Sequence, residues 1–167
     1  MGRVTRGIAE LVLCMALTAP AVHAQGAKFG IAGTGLFSLE SGGGSQFGGM
    51  ALVGFGGKAG SPLGFRVDGT VVHKSGITPI IGTGDLTYTF ATDASSMFHP
   101  YLLAGGGIYH TSGFTKPLAK AGAGFDYRMS NSSVSLFGEA TFDLLFRGSG
   151  LGTGKFLQVN AGVKFGG

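Results

Sequence analysis

The stretch VSLFGEATFDLLF, residues 134–146, alternates apolar with small or polar side chains and carries Glu139 and Asp143 without any cation. An ionised carboxylate is costly to bury in an apolar medium unless it is paired, so both acids need partners or water. Alternation with a period of two is typical of a β-strand that has one apolar and one polar face. The stretch therefore predicts a strand whose acids meet cations from other parts of the chain.

Turn sequences rich in glycine, serine and proline divide the chain after residue 24 into eight runs of this kind. Each run favours a period of two over helical spacing, which predicts an all-β chain. The predicted strands are 28–40, 46–56, 62–73, 80–91, 100–111, 118–129, 134–146 and 156–165.

Charged residues keep to one face of these strands. In the six runs that carry charges, all eleven charged residues fall opposite the apolar phase. The acids Glu139 and Asp143 thus share a face with cations of other strands. This face predicts a polar network of Arg66, Asp68, Asp85, Lys120, Asp126, Arg128, Glu139, Asp143, Asn160 and Lys164.

The composition of the two faces predicts which one is enclosed. A soluble barrel would expose a surface of about 25–35% charged residues, whereas here the polar phase consists mainly of Gly, Thr, Ser and a few opposed charges. A transmembrane barrel instead needs an apolar outer band and a polar interior, and closure leaves no strand edge unpaired in lipid. We therefore expect an eight-stranded antiparallel up-and-down transmembrane β-barrel, whose narrow interior is packed with side chains and holds no open channel.

Aromatic residues on the apolar phase are expected at the membrane interfaces. Tyr101 and Tyr109 stand at opposite ends of one predicted strand, about 27 Å apart at a rise near 3.4 Å per residue. The predicted interface aromatics are Tyr88, Tyr101, Tyr109, Tyr127 and Phe165.

The N-terminal residues have the pattern of a secretory signal. Arg3 and Arg6 precede an apolar core at 11–19, and the segment ends in small residues at Ala24. We expect cleavage after Ala24 and a single barrel domain over residues 25–167. Cys14, the sole cysteine, would leave with the signal, so no disulfide or cysteine-bound metal is expected. A mild net charge of +4, evenly spread, argues against nucleic acid as a partner.

Four segments, PYLLAGGGIY, LAKAGAGFDYRM, VSLFGEATF and LQVNAGVKF, resemble small bacterial outer membrane β-barrels of the OmpA/OmpX-like group. The resemblance implies a monomeric barrel in the outer membrane, surrounded by outer membrane lipids. It also implies that the assembly machinery recognises the last strand through Phe165, with Gly166 and Gly167 as an overhang. It implies no single activity; the function we expect is that of an integral envelope protein with a role in membrane integrity or surface contact. The alternative is a conduit or binding barrel for small hydrophobic molecules, lined by Ile81, Leu102 and Leu145.

Two further patterns point to chemistry but are better explained by ordinary structural roles. His110-Thr111-Ser112 is similar to the His-x-Ser pair of lipid A deacylases, which would make the chain a hydrolase, but no acid can be placed beside His110, which is expected to face inward. His73, His99 and His110 could bind a metal only if they shared one rim. We therefore predict no catalytic residue, no metal site and no cofactor.

Overall fold

The computed structural model describes residues 27–56, 61–74, 76–90, 96–130, 132–148 and 152–166. The predicted signal, residues 1–24, lies outside these described residues. Among the described residues there is no helix long and apolar enough to cross a membrane. The strands are β1 Ala27–Ser38, β2 Ser45–Gly56, β3 Leu63–His73, β4 Ile80–Thr89, β5 Phe98–Thr111, β6 Phe114–Arg128, β7 Val134–Phe146 and β8 Thr153–Phe165.

The strands form a closed barrel in which each is antiparallel to its neighbours in sequence and β8 pairs with β1. The predicted fold class, an eight-stranded antiparallel up-and-down barrel, is confirmed. We call the end that holds Ala27 and Phe165 the termini rim; there β2 connects to β3, β4 to β5 and β6 to β7. At the opposite end, the far rim, β1 connects to β2, β3 to β4, β5 to β6 and β7 to β8.

The boundary between β5 and β6 differs most from the prediction. Strand β6 begins at Phe114, four residues before the predicted start, and only Ser112 and Gly113 form the turn, with Gly113 at a φ of 106°. Pro117 suggested a loop because proline cannot donate to a strand ladder. However, β6 pairs with β7 only from Leu118 onward, so Pro117 lies where one side of the strand has no partner.

The outer surface of the barrel is apolar along its length. On β5, Phe98 and Ile108 both face outward and lie ten residues apart. That separation is about 34 Å along a strand and about 26 Å along the axis at a strand tilt near 40°, close to the apolar height of outer membrane barrels. Other exposed apolar residues include Phe29, Ile31, Phe55, Phe65, Val67, Leu86, Tyr88, Phe125, Tyr127, Leu136, Phe142, Leu157, Val159 and Phe165.

The predicted orientation of β5 is wrong. Tyr101 and Tyr109 point into the barrel, with only 4% and 7% of their surfaces exposed, so neither is an interface aromatic. Conversely, Leu102 is 48% exposed on the outside and cannot line an interior pocket, and His110 also faces outward. The cause is that both faces of β5 are largely apolar and neither carries an acid, Lys or Arg to mark the inner side. Of the five predicted interface aromatics, Tyr88, Tyr127 and Phe165 lie on the outer surface.

Candidate functional site

The centre of the barrel is occupied by an arginine that reaches across it. Arg66 on β3 donates from Nη1 to Glu139 Oε2 at 2.6 Å and from Nη2 to Glu139 Oε1 at 3.0 Å. Glu139 is on β7, which lies opposite β3 in an eight-strand ring. This two-point contact is the strongest geometry available to a guanidinium and a carboxylate. The pair therefore spans the lumen.

A second cation, on strand β6, contacts the acids that lie around Arg66. Lys120 on β6 places its Nζ 2.7 Å from Asp68 Oδ2 and 2.8 Å from Asp85 Oδ2. Asp68 also lies 2.8 Å from Arg66 Nε. Four strands thus meet through five buried charges, which we call the central ionic cluster: Arg66, Asp68, Asp85, Lys120 and Glu139.

The strand register explains why these residues converge. Arg66 is paired with Asp85 across β3 and β4, and Asp85 with Gly105 on β5. Gly105 is in turn paired with Lys120 on β6. A methyl group at Gly105 would lie 2.2 Å from Asp85 Oδ1, so the glycine leaves the space that this carboxylate occupies.

Hydroxyl and amide groups extend the cluster on the side of β7 and β8. Glu139 Oε2 accepts a hydrogen bond from Tyr101 Oη at 2.7 Å, and Glu139 Oε1 accepts one from Asn160 Nδ2 at 2.9 Å. Thr34 and Gln158 both donate to Asn160 Oδ1. Both oxygens of Glu139 are therefore satisfied by several donors, as a buried carboxylate requires.

Asp143, the second acid of residues 134–146, has different surroundings. It is 1% exposed and accepts a hydrogen bond from Thr141 Oγ1 at 2.8 Å. The register places it beside Lys120, although the Lys120 nitrogen contacts Asp68 and Asp85 rather than Asp143. Asp143 thus lies at the edge of the central ionic cluster.

The lumen towards the far rim is filled by apolar side chains. Tyr109 and Phe156 stack there with ring centroids 6.5 Å apart. We call the whole group the apolar plug; it comprises Leu36, Val72, Ile81, Tyr109, Leu118, Leu145 and Phe156. Ile81 and Leu145, predicted to line a ligand pocket, are packed inside this plug. Among the described residues, side chains therefore fill the lumen at two successive levels.

Lys164 and Asp126 form a separate pair nearer the termini rim. Lys164 Nζ lies 2.6 Å from Asp126 Oδ1 and above the rings of Tyr101 and Phe137, at 4.6 and 4.5 Å from their centroids. Arg128, predicted in the same network, is exposed at the rim and does not join the central ionic cluster. The predicted polar residues are thus divided between a buried centre and an open end.

A cavity of about 340 Å³ opens at the termini rim. Its floor includes Arg66 and Tyr101, and its wall includes Lys28, Arg128 and Lys164. The cavity could not be predicted from the sequence, because its walls come from residues far apart in the chain and its size depends on how the side chains pack.

The histidines do not form a shared site. His110 Nδ1 lies 2.7 Å from Thr115 Oγ1 on the outside of the far rim, and Ser112 lies in the turn between β5 and β6. His73 is also near the far rim, whereas His99 is at the termini rim. Within the part of the chain that the structure describes, no group of histidines and acids could hold a metal ion.

No family model matches the chain, and no curated protein matches its sequence. The fold does match solved structures. Neisserial surface protein A is 18% identical with a TM-score of 0.71, covering 84% of this chain and 97% of its own. The N-terminal β-barrel domain of Pseudomonas aeruginosa OprF is 17% identical with a TM-score of 0.55, covering 84% of this chain and 98% of its own. This chain shares with them the fold of the small eight-stranded outer membrane barrels.

Proposed function

We propose that this chain is a monomeric integral protein of the outer membrane, where it serves as a closed structural barrel that contributes to envelope integrity. The observation that carries the proposal is the contrast between its two surfaces. Phenylalanine, leucine and valine cover the outside, whereas five paired charges lie buried at the centre. Exposed apolar patches larger than a few hundred Å² mark a membrane or interaction surface. An apolar band that encircles the barrel suits acyl chains.

The pairing of the strands supports a monomer. Every strand has neighbours on both sides, so no edge is left to recruit a second chain. In a bilayer this closure also satisfies the backbone groups that lipid cannot. Outer membrane lipids are therefore the partner that the surface suits best.

The end of β8 suits the expected contact with the assembly machinery. Phe165 faces outward and is 43% exposed. Gly166, at a φ of 92°, turns the chain back and donates its N–H to the Ser133 carbonyl at 3.0 Å. Phe165 therefore lies outward at the end of β8, available for recognition.

The short turns at the far rim favour envelope integrity over surface contact. The connections from β1 to β2, from β3 to β4 and from β7 to β8 have six residues each, so they offer few residues to a partner. Neither a conduit nor an apolar binding barrel suits the interior as well, because the apolar plug and the central ionic cluster both fill it. Enzymatic activity is not expected, because His110 contacts a threonine rather than an orienting acid.

Fractionation and conductance together test the proposal. We expect the protein to remain in the outer membrane pellet after a carbonate wash and to migrate differently on a gel when it is not boiled. In planar bilayers the purified barrel should give no stable conductance steps. Release into the soluble fraction would overturn the membrane assignment, and steady channel openings would overturn the closed barrel while leaving that assignment intact.

A further inference from the structure

We propose that the cavity at the termini rim is a binding site for a small phosphate-bearing anion, held by Arg128, Lys28 and Lys164. This site goes beyond the structural role proposed above, because a closed barrel needs no ligand. It rests on the placement of the three cations, on their unequal pairing, and on the shape of the space between them.

The register brings the three cations to one arc of the cavity wall. Arg128 on β6 is paired with Ser135 on β7, and Ser135 with Lys164 on β8. Lys164 is paired with Gly30 on β1, and Lys28 lies two residues before Gly30 on the same inward face. Four adjacent strands thus present their polar side chains to the same end of the lumen.

Gly30 leaves the space that the Lys164 side chain occupies. A methyl group added there would lie 3.1 Å from Lys164 Cγ and 3.0 Å from Leu52 Cγ. The missing side chain lets the Lys164 stem lie flat against β1. The ammonium group is thereby held near Tyr101 Oη, at 3.5 Å. Lys164 is therefore fixed at the inner end of the arc.

The charges of the arc are not balanced. Lys164 is paired with Asp126, but neither Arg128 nor Lys28 forms an ion pair with another residue of the described ranges. Among the described residues, Asp126 is the one carboxylate in the cavity wall, and Arg66 at the floor is already bound by Glu139 and Asp68. The wall thus carries an excess of positive charge in a cleft with low-dielectric sides, which concentrates its attraction for anions.

The space between the cations suits a small molecule. A volume of about 340 Å³ is in the range of small-molecule sites. A second recess of about 30 Å³ borders the same Lys28, Arg128 and Ser135. Hydroxyl groups of Thr87, Thr89 and Ser135 add neutral donors to the wall.

The donor set favours phosphate over a single carboxylate. A guanidinium offers a planar fork that matches two phosphate oxygens, and a lysine adds a compact charge for a third. Because the cations are spread along one arc of the wall, an anion with several oxygens can contact more than one of them. A simple carboxylate has only two oxygens and leaves part of the arc unpaired.

Calorimetric titration of the purified barrel in detergent with inorganic pyrophosphate, at constant ionic strength, tests the site. We expect saturable binding of one anion per barrel. Arg128→Gln and Lys28→Gln should each weaken it roughly tenfold, as expected for the loss of one charge-assisted contact. The matched control is Lys155→Gln, which removes an exposed cation near the far rim and should leave binding unchanged.

Amide chemical shifts locate the anion independently of affinity. Pyrophosphate should move the signals of Gly30, Ser135 and Gly166 at the termini rim and leave Gly113 at the far rim in place. Because Arg128 and Lys28 lie at the rim, both variants should fold, which unboiled gel migration checks. The proposal is overturned if pyrophosphate does not bind, if the Arg128 and Lys28 variants bind it as the wild type does, or if citrate binds and pyrophosphate does not.

Discussion

The two levels of the lumen are filled in opposite ways. At the centre, Arg66 and Lys120 are surrounded by carboxylates, and each partner depends on the others for its charge compensation. Towards the far rim, the apolar plug fills the same cross-section without a charge. A buried ion pair that loses one partner leaves an uncompensated charge, whereas an apolar cluster that loses a side chain leaves only a cavity. The two levels should therefore respond differently to substitution.

The largest effect is expected at Arg66. Arg66→Met leaves Glu139 without its paired cation and Asp68 with Lys120 alone, which should lower the free energy of unfolding by about 4 kcal/mol. Urea unfolding of the barrel in lipid vesicles measures it. The double variant Arg66→Met/Glu139→Leu should recover part of the loss, because it removes the abandoned charge. An equal or greater loss in the double variant would contradict this interpretation of the cluster.

Removing a plug side chain should cost less and show no such recovery. Leu36 is 1% exposed, and Leu36→Ala should lower the free energy of unfolding by about 3 kcal/mol through lost contacts and a residual cavity. The same urea series measures it, with outward Ile31→Ala as the matched control in vesicles. A loss at Leu36 no larger than that at Ile31 would mean that the plug is loosely packed.

A substitution at Tyr101 tests whether β5 is oriented with this side chain inward, beside the central ionic cluster. The Tyr101 hydroxyl donates to Glu139 at 2.7 Å, so Tyr101→Phe should lower the free energy of unfolding by about 1.5 kcal/mol, as for hydrogen bonds to charged groups. Tyr127→Phe is the control, because within the described ranges the Tyr127 hydroxyl forms a hydrogen bond only to Met97 Sδ, at 3.6 Å. Equal effects at the two positions would place Tyr101 outside the lumen after all.

The smallest effect is expected for an ion pair outside both levels. Arg147 and Glu40 meet at the far rim with about a third of each side chain exposed. Exposed pairs of this kind contribute little, so Glu40→Gln should change the free energy of unfolding by less than about 1 kcal/mol. A loss as large as that at Arg66 would show that exposure does not separate strong from weak pairs in this barrel.

The sequence could predict which face of a strand points inward only where that face carries charged residues. In β3 and β7, Arg66, Asp68, Glu139 and Asp143 mark the inner face, and the predicted orientation agrees with the structure. Strand β5 has no such marker, because its inward side chains include Tyr101 near one end and Tyr109 of the apolar plug near the other, and none of them is an acid, Lys or Arg. Periodicity alone cannot distinguish two apolar faces, so its orientation was predicted wrongly.

The contacts within the site were harder to predict than its members. The sequence placed acids and cations on one face, but which of them meet depends on the stagger between strands. Arg66 reaches Glu139 on the opposite strand as well as Asp68 on its own strand, and Arg128 stays at the rim. Tyr101 was missed in the network, although the adjacent Gly124 was a possible signal: a methyl group there would lie 2.6 Å from the tyrosine ring.

The direct test of the account is to ask which face of the barrel meets acyl chains. The chain contains no tryptophan, so single substitutions report without background. Phe142→Trp places an indole on the outer face, and Phe137→Trp places one in the lumen. In vesicles of brominated lipid, after unboiled gel migration has shown that both variants fold, we expect strong quenching at 142 and little at 137. Strong quenching at 137 with none at 142 would contradict the account.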